Sequence, residues 1–94
     1  VVVGRKLTQA KRSIATAESC TGGKIAQVLS SVAGASQYFY GSMVTYRTES
    51  KTELLGISKQ TLSEFGVVSA ETAKQMAKAV QAKFGTDFAL ATTG

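Results

Sequence analysis

The groups able to do chemistry in this chain cluster around one short run, Glu18-Ser19-Cys20-Thr21-Gly22-Gly23. Further along lie Tyr46 and, five positions later, Lys51. The chain contains no His. Ser-His-Asp and Cys-His catalysis are therefore excluded, as are His-based zinc and haem sites. One Cys leaves no disulfide framework and no thiolate metal cluster. The only Asp is Asp87. An enzyme built from what remains would pair a hydroxyl nucleophile with a lysine base.

Ser19 falls where a short strand, Ser13–Ala17, gives way to a helix. In an α/β sheet, ligands bind in the crevice beyond the carboxyl ends of the strands. A helix opening at Cys20–Gly23 presents free backbone N–H groups at its positive end. Those donors can hold a phosphate or an oxyanion, and Gly22 and Gly23 allow a ligand close to the backbone. A plainer role for Ser19 or Thr21 is to cap the helix, with the glycines easing packing. Cys20 is a rival nucleophile, since a helix N-terminus favours a thiolate, or else a small buried hydrophobe. Glu18 either orients Lys51 or receives a hydrogen bond.

Tyr46 ends a second strand, and Lys51 opens the helix that follows. A free Lys titrates near 10.4, whereas a useful general base sits near 7–8. The site must supply a bias of roughly 3–5 kcal/mol against the charged amine. A helix N-terminus contributes at most about 1–2 kcal/mol of that, so burial must supply the rest. Without such burial Lys51 is a solvated surface lysine.

The remaining pattern reads as an α/β domain. Residues 1–12 form an amphipathic helix. Ile25, Val28, Leu29 and Val32 recur at helical spacing as a buried stripe ended by Gly34. Tyr38–Tyr46 reads as a strand, with Gly41 marking a close backbone approach or a bulge. Ser50-Lys51-Thr52-Glu53 has capping-box spacing, and Gly56 follows Leu54-Leu55. Ser58–Phe65 is a short helix closed by Gly66, and Val67-Val68 a brief extended piece. Ser69 caps a helix carrying Ala73, Met76, Ala77, Val80 and Phe84 on one face. Asp87–Thr92 is a buried strand. Alternating strands and helices imply a largely parallel sheet.

The chain has 94 residues, is 44% hydrophobic and 18% charged, and carries a formal charge of +5. One small domain over residues 1–94 is expected, with stability of about 5–14 kcal/mol. Pro is absent, although average composition would place about five in this length. The charge does not point to nucleic acid. Lys24, Lys51, Lys59, Lys74, Lys78 and Lys83 are dispersed, and only Arg5, Lys6, Lys11 and Arg12 group together, without interleaved aromatics. A solvated helix face accounts for them, and a small phosphorylated ligand also suits the charge. No apolar run approaches the roughly 20 residues of a membrane span. The first residues lack the order of a secretion signal, and a single free Cys fits a reducing compartment. A cytoplasmic location is expected. The absence of an initiating Met suggests a processed, tagged or excised chain.

Thr16-Ala17-Glu18-Ser19-Cys20-Thr21-Gly22-Gly23 resembles the signature of the CinA C-terminal domain family, the nicotinamide-nucleotide amidohydrolases also called PncC. The similarity continues through Gly41-Ser42-Met43-Val44-Thr45-Tyr46, Ser50-Lys51 and Leu55-Gly56. It resumes at Thr61-Leu62 and Phe65-Gly66-Val67-Val68-Ser69, and ends at Thr93-Gly94. The resemblance implies a three-layer α/β/α fold with a mixed, mainly parallel sheet. It implies conversion of nicotinamide mononucleotide to nicotinate mononucleotide and ammonia, with neither metal nor cofactor. In that reading Ser19 is the nucleophile, Lys51 the base and Tyr46 its assistant, the proton passing to Lys51 directly or through Tyr46. Backbone N–H groups near Cys20, Thr21, Gly22 and Gly23, together with Glu18, would surround the substrate. Family members continue past Thr93-Gly94 into a Gly-rich loop and a further strand and helix. The resemblance therefore implies an incomplete domain whose open sheet edges favour homo-oligomers. The alternative is an inactive protein-interaction module of competence or DNA repair.

Overall fold

The computed structural model describes residues 2–94. The elements run α1 (Val2–Ala10), β1 (Ile14–Glu18), α2 (Lys24–Ser30), a 3-10 turn (Ala35–Gln37), β2 (Phe39–Val44), α3 (Thr48–Leu55), α4 (Lys59–Phe65), α5 (Ala70–Phe84) and β3 (Phe88–Ala91). The sheet has the order β2-β1-β3, and both pairings are parallel. The fold is α/β, with helices on both faces.

A strand's period of two decides which face each residue serves. Ala15 and Ala17 of β1 lie beside Gly41 and Met43 of β2 and Ala89 and Ala91 of β3. The alanines and Gly41 let α5 sit close, and Met76 and Val80 from α5 join Ala15, Ala17, Leu55 and Ile57 in the main core. Thr16 and Glu18 point to the other face, where α2 packs on β1 and β2. That layer does not reach β3, and its Phe88 and Leu90 stay about half exposed.

Gly41 is a close approach and also sits at a register shift opposite Ile14/Ala15. A Cβ there would come 2.5 Å from Cε1 and 2.7 Å from Cζ of Phe84. Gly41→Ala is expected to cost about 1–3 kcal/mol by overpacking. Urea denaturation checks this, and Phe84→Leu in the same chain should return most of the loss.

Several local expectations change. The stripe on α2 is not buried: the helix ends at Ser30, none of its residues is buried, and Val28 is 57% exposed. Gly34 instead introduces the 3-10 turn, which the sequence reading missed. Val67 and Val68 form no strand; they lie in bends leading to α5. Ser50 is not a cap. α3 starts two residues earlier, and the Ser50 hydroxyl donates to the Arg47 carbonyl. Ser58 and Ser69 do cap α4 and α5, accepting from the N–H groups of Thr61 and Thr72.

Candidate active site

Ser19 follows directly on β1, and the alternation that turns Ala15 and Ala17 toward the core turns Ser19 the same way. It is 4% exposed. Lys51 is the fourth residue of α3. It shares a helix face with Leu55, four positions on, and both are buried. Helical side chains lean toward their own N-terminus, which brings the Lys51 amine back to the end of β2. Its Nζ lies 3.0 Å from Ser19 Oγ and donates to the Thr45 carbonyl at 2.8 Å.

Lys51 is 1% exposed, and among the described residues no carboxylate lies within ion-pair distance of it. Burial pushes its pKa below the ordinary lysine value; the nearby Cys20 acts the opposite way when ionised. The chemical consequence follows from the 3.0 Å contact. A charged Lys51 donates to Ser19 Oγ, whereas an uncharged one accepts from the Ser19 hydroxyl and can take its proton.

Glu18 faces the opposite side of the sheet. Its buried carboxylate does not orient Lys51; of the two roles open to it, it takes the second. It accepts from the N–H groups of Ile25 at 2.9 Å and Ala26 at 2.8 Å, and from the Thr21 hydroxyl at 2.7 Å. Burial alone would raise its pKa. The hydrogen bonds from Thr21, Ile25, Ala26 and Ser42 outweigh this and hold the carboxyl below its usual range.

This arrangement corrects the expectation for the helix N-terminus. α2 begins at Lys24, and its first free donors are taken by the protein's own carboxylate. Cys20–Gly23 form a turn ahead of the helix, closed by Gly22 N–H donating to the Ser19 carbonyl. Gly22 and Gly23 have φ of 61° and 100°. The left-handed backbone explains both glycines, since a Cβ would meet nothing closer than 3.4 Å. Among the described residues, the N–H groups of Cys20, Thr21 and Gly23 donate to no protein acceptor. They are the donors left free in the turn that follows Ser19.

Tyr46 is 71% exposed, and its hydroxyl makes no hydrogen bond to Ser19 or Lys51. The backbone alternation that turns Thr45 inward turns Tyr46 out. Ser19 Oγ and Lys51 Nζ meet directly, with no Tyr46 hydroxyl between them. Cys20 is exposed, not a buried hydrophobe. Thr16, Ser42 and Thr92 were not picked out from sequence. Thr16 donates to Ser42 at 2.6 Å, and the hydroxyls of Thr21 and Thr92 lie 3.0 Å apart. They link all three strand ends around Glu18, and their only sequence signal is hydroxyls on a strand face expected to be apolar. Among the described residues no three His, Cys, Asp or Glu side chains gather as a metal site. None of the described helices is long and apolar enough to cross a membrane.

The family model for the CinA C-terminal domain matches residues 1–94. The chain belongs to the CinA C-terminal domain family. It is 56% identical over 94 residues to a CinA-like protein of Flavobacterium psychrophilum, and 51% identical over 92 residues to one of Desulfosudis oleivorans. The match covers 100% and 98% of this chain and 22% of each of those proteins. Among solved structures, the competence/damage inducible protein of Agrobacterium tumefaciens superposes with a TM-score of 0.95 at 40% identity, over 99% of this chain and 56% of that one. A CinA superfamily protein of Escherichia coli gives 0.93 at 29% identity, over 96% and 52%. The chain thus spans about half of these solved relatives and about a fifth of the curated ones.

Proposed function

We propose that this CinA-type domain carries a Ser/Lys amidohydrolase centre, and that its substrate is the carboxamide of nicotinamide mononucleotide. The observation that carries the reading is the contact between two buried side chains, Lys51 Nζ at 3.0 Å from Ser19 Oγ. A buried site with no carboxylate partner is a poor place for a structural lysine and a good place for a base.

In the first step Lys51 takes the Ser19 proton as Oγ attacks the carboxamide carbon. The developing oxyanion is met by backbone N–H groups, of which those of Cys20, Thr21 and Gly23 are free. Lys51 then gives its proton to the departing nitrogen, and ammonia leaves. Water, deprotonated by the same amine, attacks the acyl-Ser19 ester; nicotinate mononucleotide leaves as Lys51 returns the proton to Ser19 Oγ. Tyr46 sits at the exposed rim, where it is suited to contact with substrate and not to the proton transfer. The segments that the longer relatives carry beyond this span would complete the nucleotide pocket, with homo-oligomers closing the open sheet.

The test is ammonia release from nicotinamide mononucleotide. Ser19→Ala is expected to remove it, and Cys20→Ala to leave it within about threefold. Loss in Cys20→Ala with activity retained in Ser19→Ala would move the nucleophile to the neighbouring residue. A wild-type protein that binds a competence or repair partner but releases no ammonia would support the interaction module instead.

A further inference from the structure

Thr45 is fully buried, and its hydroxyl is the one buried side-chain polar atom among the described residues without a protein hydrogen-bond partner. Such groups are rare in folded proteins and call for an explanation. This one lies at the site. The same residue's carbonyl receives Lys51 Nζ at 2.8 Å, and its N–H donates to the Glu18 carbonyl at 2.9 Å. Thr45 is thereby tied to the Lys51 amine through its carbonyl and to the backbone of Glu18 through its N–H.

Lys51 has a matching unused group. As an ammonium it carries three N–H donors, of which Ser19 Oγ and the Thr45 carbonyl take two. As an amine it accepts from Ser19, donates to the Thr45 carbonyl and again has one N–H to spare. The Thr45 hydroxyl belongs to the residue whose carbonyl Lys51 touches, yet makes no direct hydrogen bond with the amine. One water spans polar groups up to about 5.6 Å apart, twice an ordinary O–H···O length.

We propose that Thr45 is a positioning residue for Lys51, its hydroxyl holding one buried water that takes the third N–H of the amine. The water fixes the rotation of the amine, so that its lone pair points at Ser19 Oγ when Lys51 is uncharged. It also gives the ammonium a third acceptor once the Ser19 proton has arrived. This role rests on the Ser/Lys reading for its catalytic consequence, but not for the existence of the bridge.

The comparison is between Thr45→Val, which keeps the shape and removes the hydroxyl, and Thr45→Ser, which keeps the hydroxyl. The other titratable or charged groups on the elements around Lys51 are Glu18 at the end of β1 and Cys20 after it, Tyr40 on β2 with Tyr46 and Arg47 after it, Glu49 and Glu53 on α3, and Glu71, Lys74, Lys78 and Lys83 on α5. All are the same in both variants. NMR titration of Lys51 with labelled ε-carbon and ζ-nitrogen is expected to show a lower midpoint in Thr45→Val and a wild-type midpoint in Thr45→Ser. The kcat for ammonia release should fall about tenfold in Thr45→Val with KM within twofold, the effect of one hydrogen bond, and Thr45→Ser should restore it. An unchanged Lys51 midpoint in Thr45→Val overturns the proposal, whether or not the protein releases ammonia. Absence of ammonia release by the wild type, with the midpoint still moving, would refute the amidase reading alone. A high-resolution crystal structure of the wild type gives a check that no variant's folding can obscure. One water within hydrogen-bond distance of both atoms supports the bridge, and direct contact of the hydroxyl with another protein group overturns it.

Discussion

Lys51→Met is expected to make the protein inactive and more stable at once. Met roughly matches the volume of the lysine stem and needs no hydration. At neutral pH the wild type must either bury a charge or release the proton, and each costs free energy. The substitution should stabilise the fold by about 1–4 kcal/mol, the range for replacing buried ionic groups by apolar side chains of like volume. The rate of ammonia release should fall about 10⁴-fold, the upper range for loss of a general base. The pH dependence separates this from a generic packing gain. Lys51 has a lowered native pKa, so between that value and about 10.4 the unfolded chain holds a proton that the native protein has given up. Wild-type stability therefore rises with pH across that window relative to the variant, and the gain from Met shrinks to its packing share above it. Urea denaturation of both proteins from neutral to alkaline pH checks this. A gain that does not vary with pH would mean that Lys51 titrates normally.

The second large effect is on Glu18. Its carboxylate is fully buried and holds two backbone N–H groups of α2 and the Thr21 hydroxyl. Glu18→Ala orphans both N–H groups, leaves the Thr21 hydroxyl only Thr92, and removes the anion from the positive end of a helix. A loss of about 3–5 kcal/mol is expected, as for breaking other buried charged networks, out of a total near 5–14 kcal/mol. Glu18→Gln keeps an acceptor but turns an amide donor toward a backbone donor, and should lose about half as much. The native pKa of Glu18 lies below its ordinary value. Its contribution is therefore fully present above about 4.3 and is lost as pH falls through the native pKa. Denaturation followed by circular dichroism measures both variants. A change below 1 kcal/mol in Glu18→Ala would mean that the turn beside Ser19 holds itself without the carboxylate.

The two residues behave differently because one strand separates them. Ser19 and Glu18 are neighbours in sequence but occupy opposite faces of the sheet. A buried base and a buried acid can sit close together without neutralising each other. In the proposed mechanism an ion pair would hold Lys51 charged and leave Ser19 without a proton acceptor.

The parts of this site that were legible in the sequence are those set by local rules. Ser19 at a strand end, the caps at Ser58 and Ser69 and the tight approach at Gly41 each follow from a few adjacent residues. The pairing of Ser19 with Lys51 needed the absence of His and the family resemblance, because spacing along the chain does not reveal which face a helix buries. What the sequence hid depends on partners elsewhere. Helical spacing in α2 could not reveal that its layer covers only part of the sheet and leaves Val28 in solvent. Free N–H groups at a helix start could not be told from N–H groups already held by Glu18, which lies before the turn. Tyr46 lies beside a residue that matters, but on the outward side of the chain.

The central claim is that the Lys51 amine is uncharged often enough to accept the Ser19 proton. NMR titration of Lys51 in the wild-type protein tests it most directly. The account predicts a midpoint well below 10.4, accompanied by a shift of the Ser19 β-carbon signal over the same pH range. A Lys51 that titrates near 10.4 with Ser19 unmoved would contradict it.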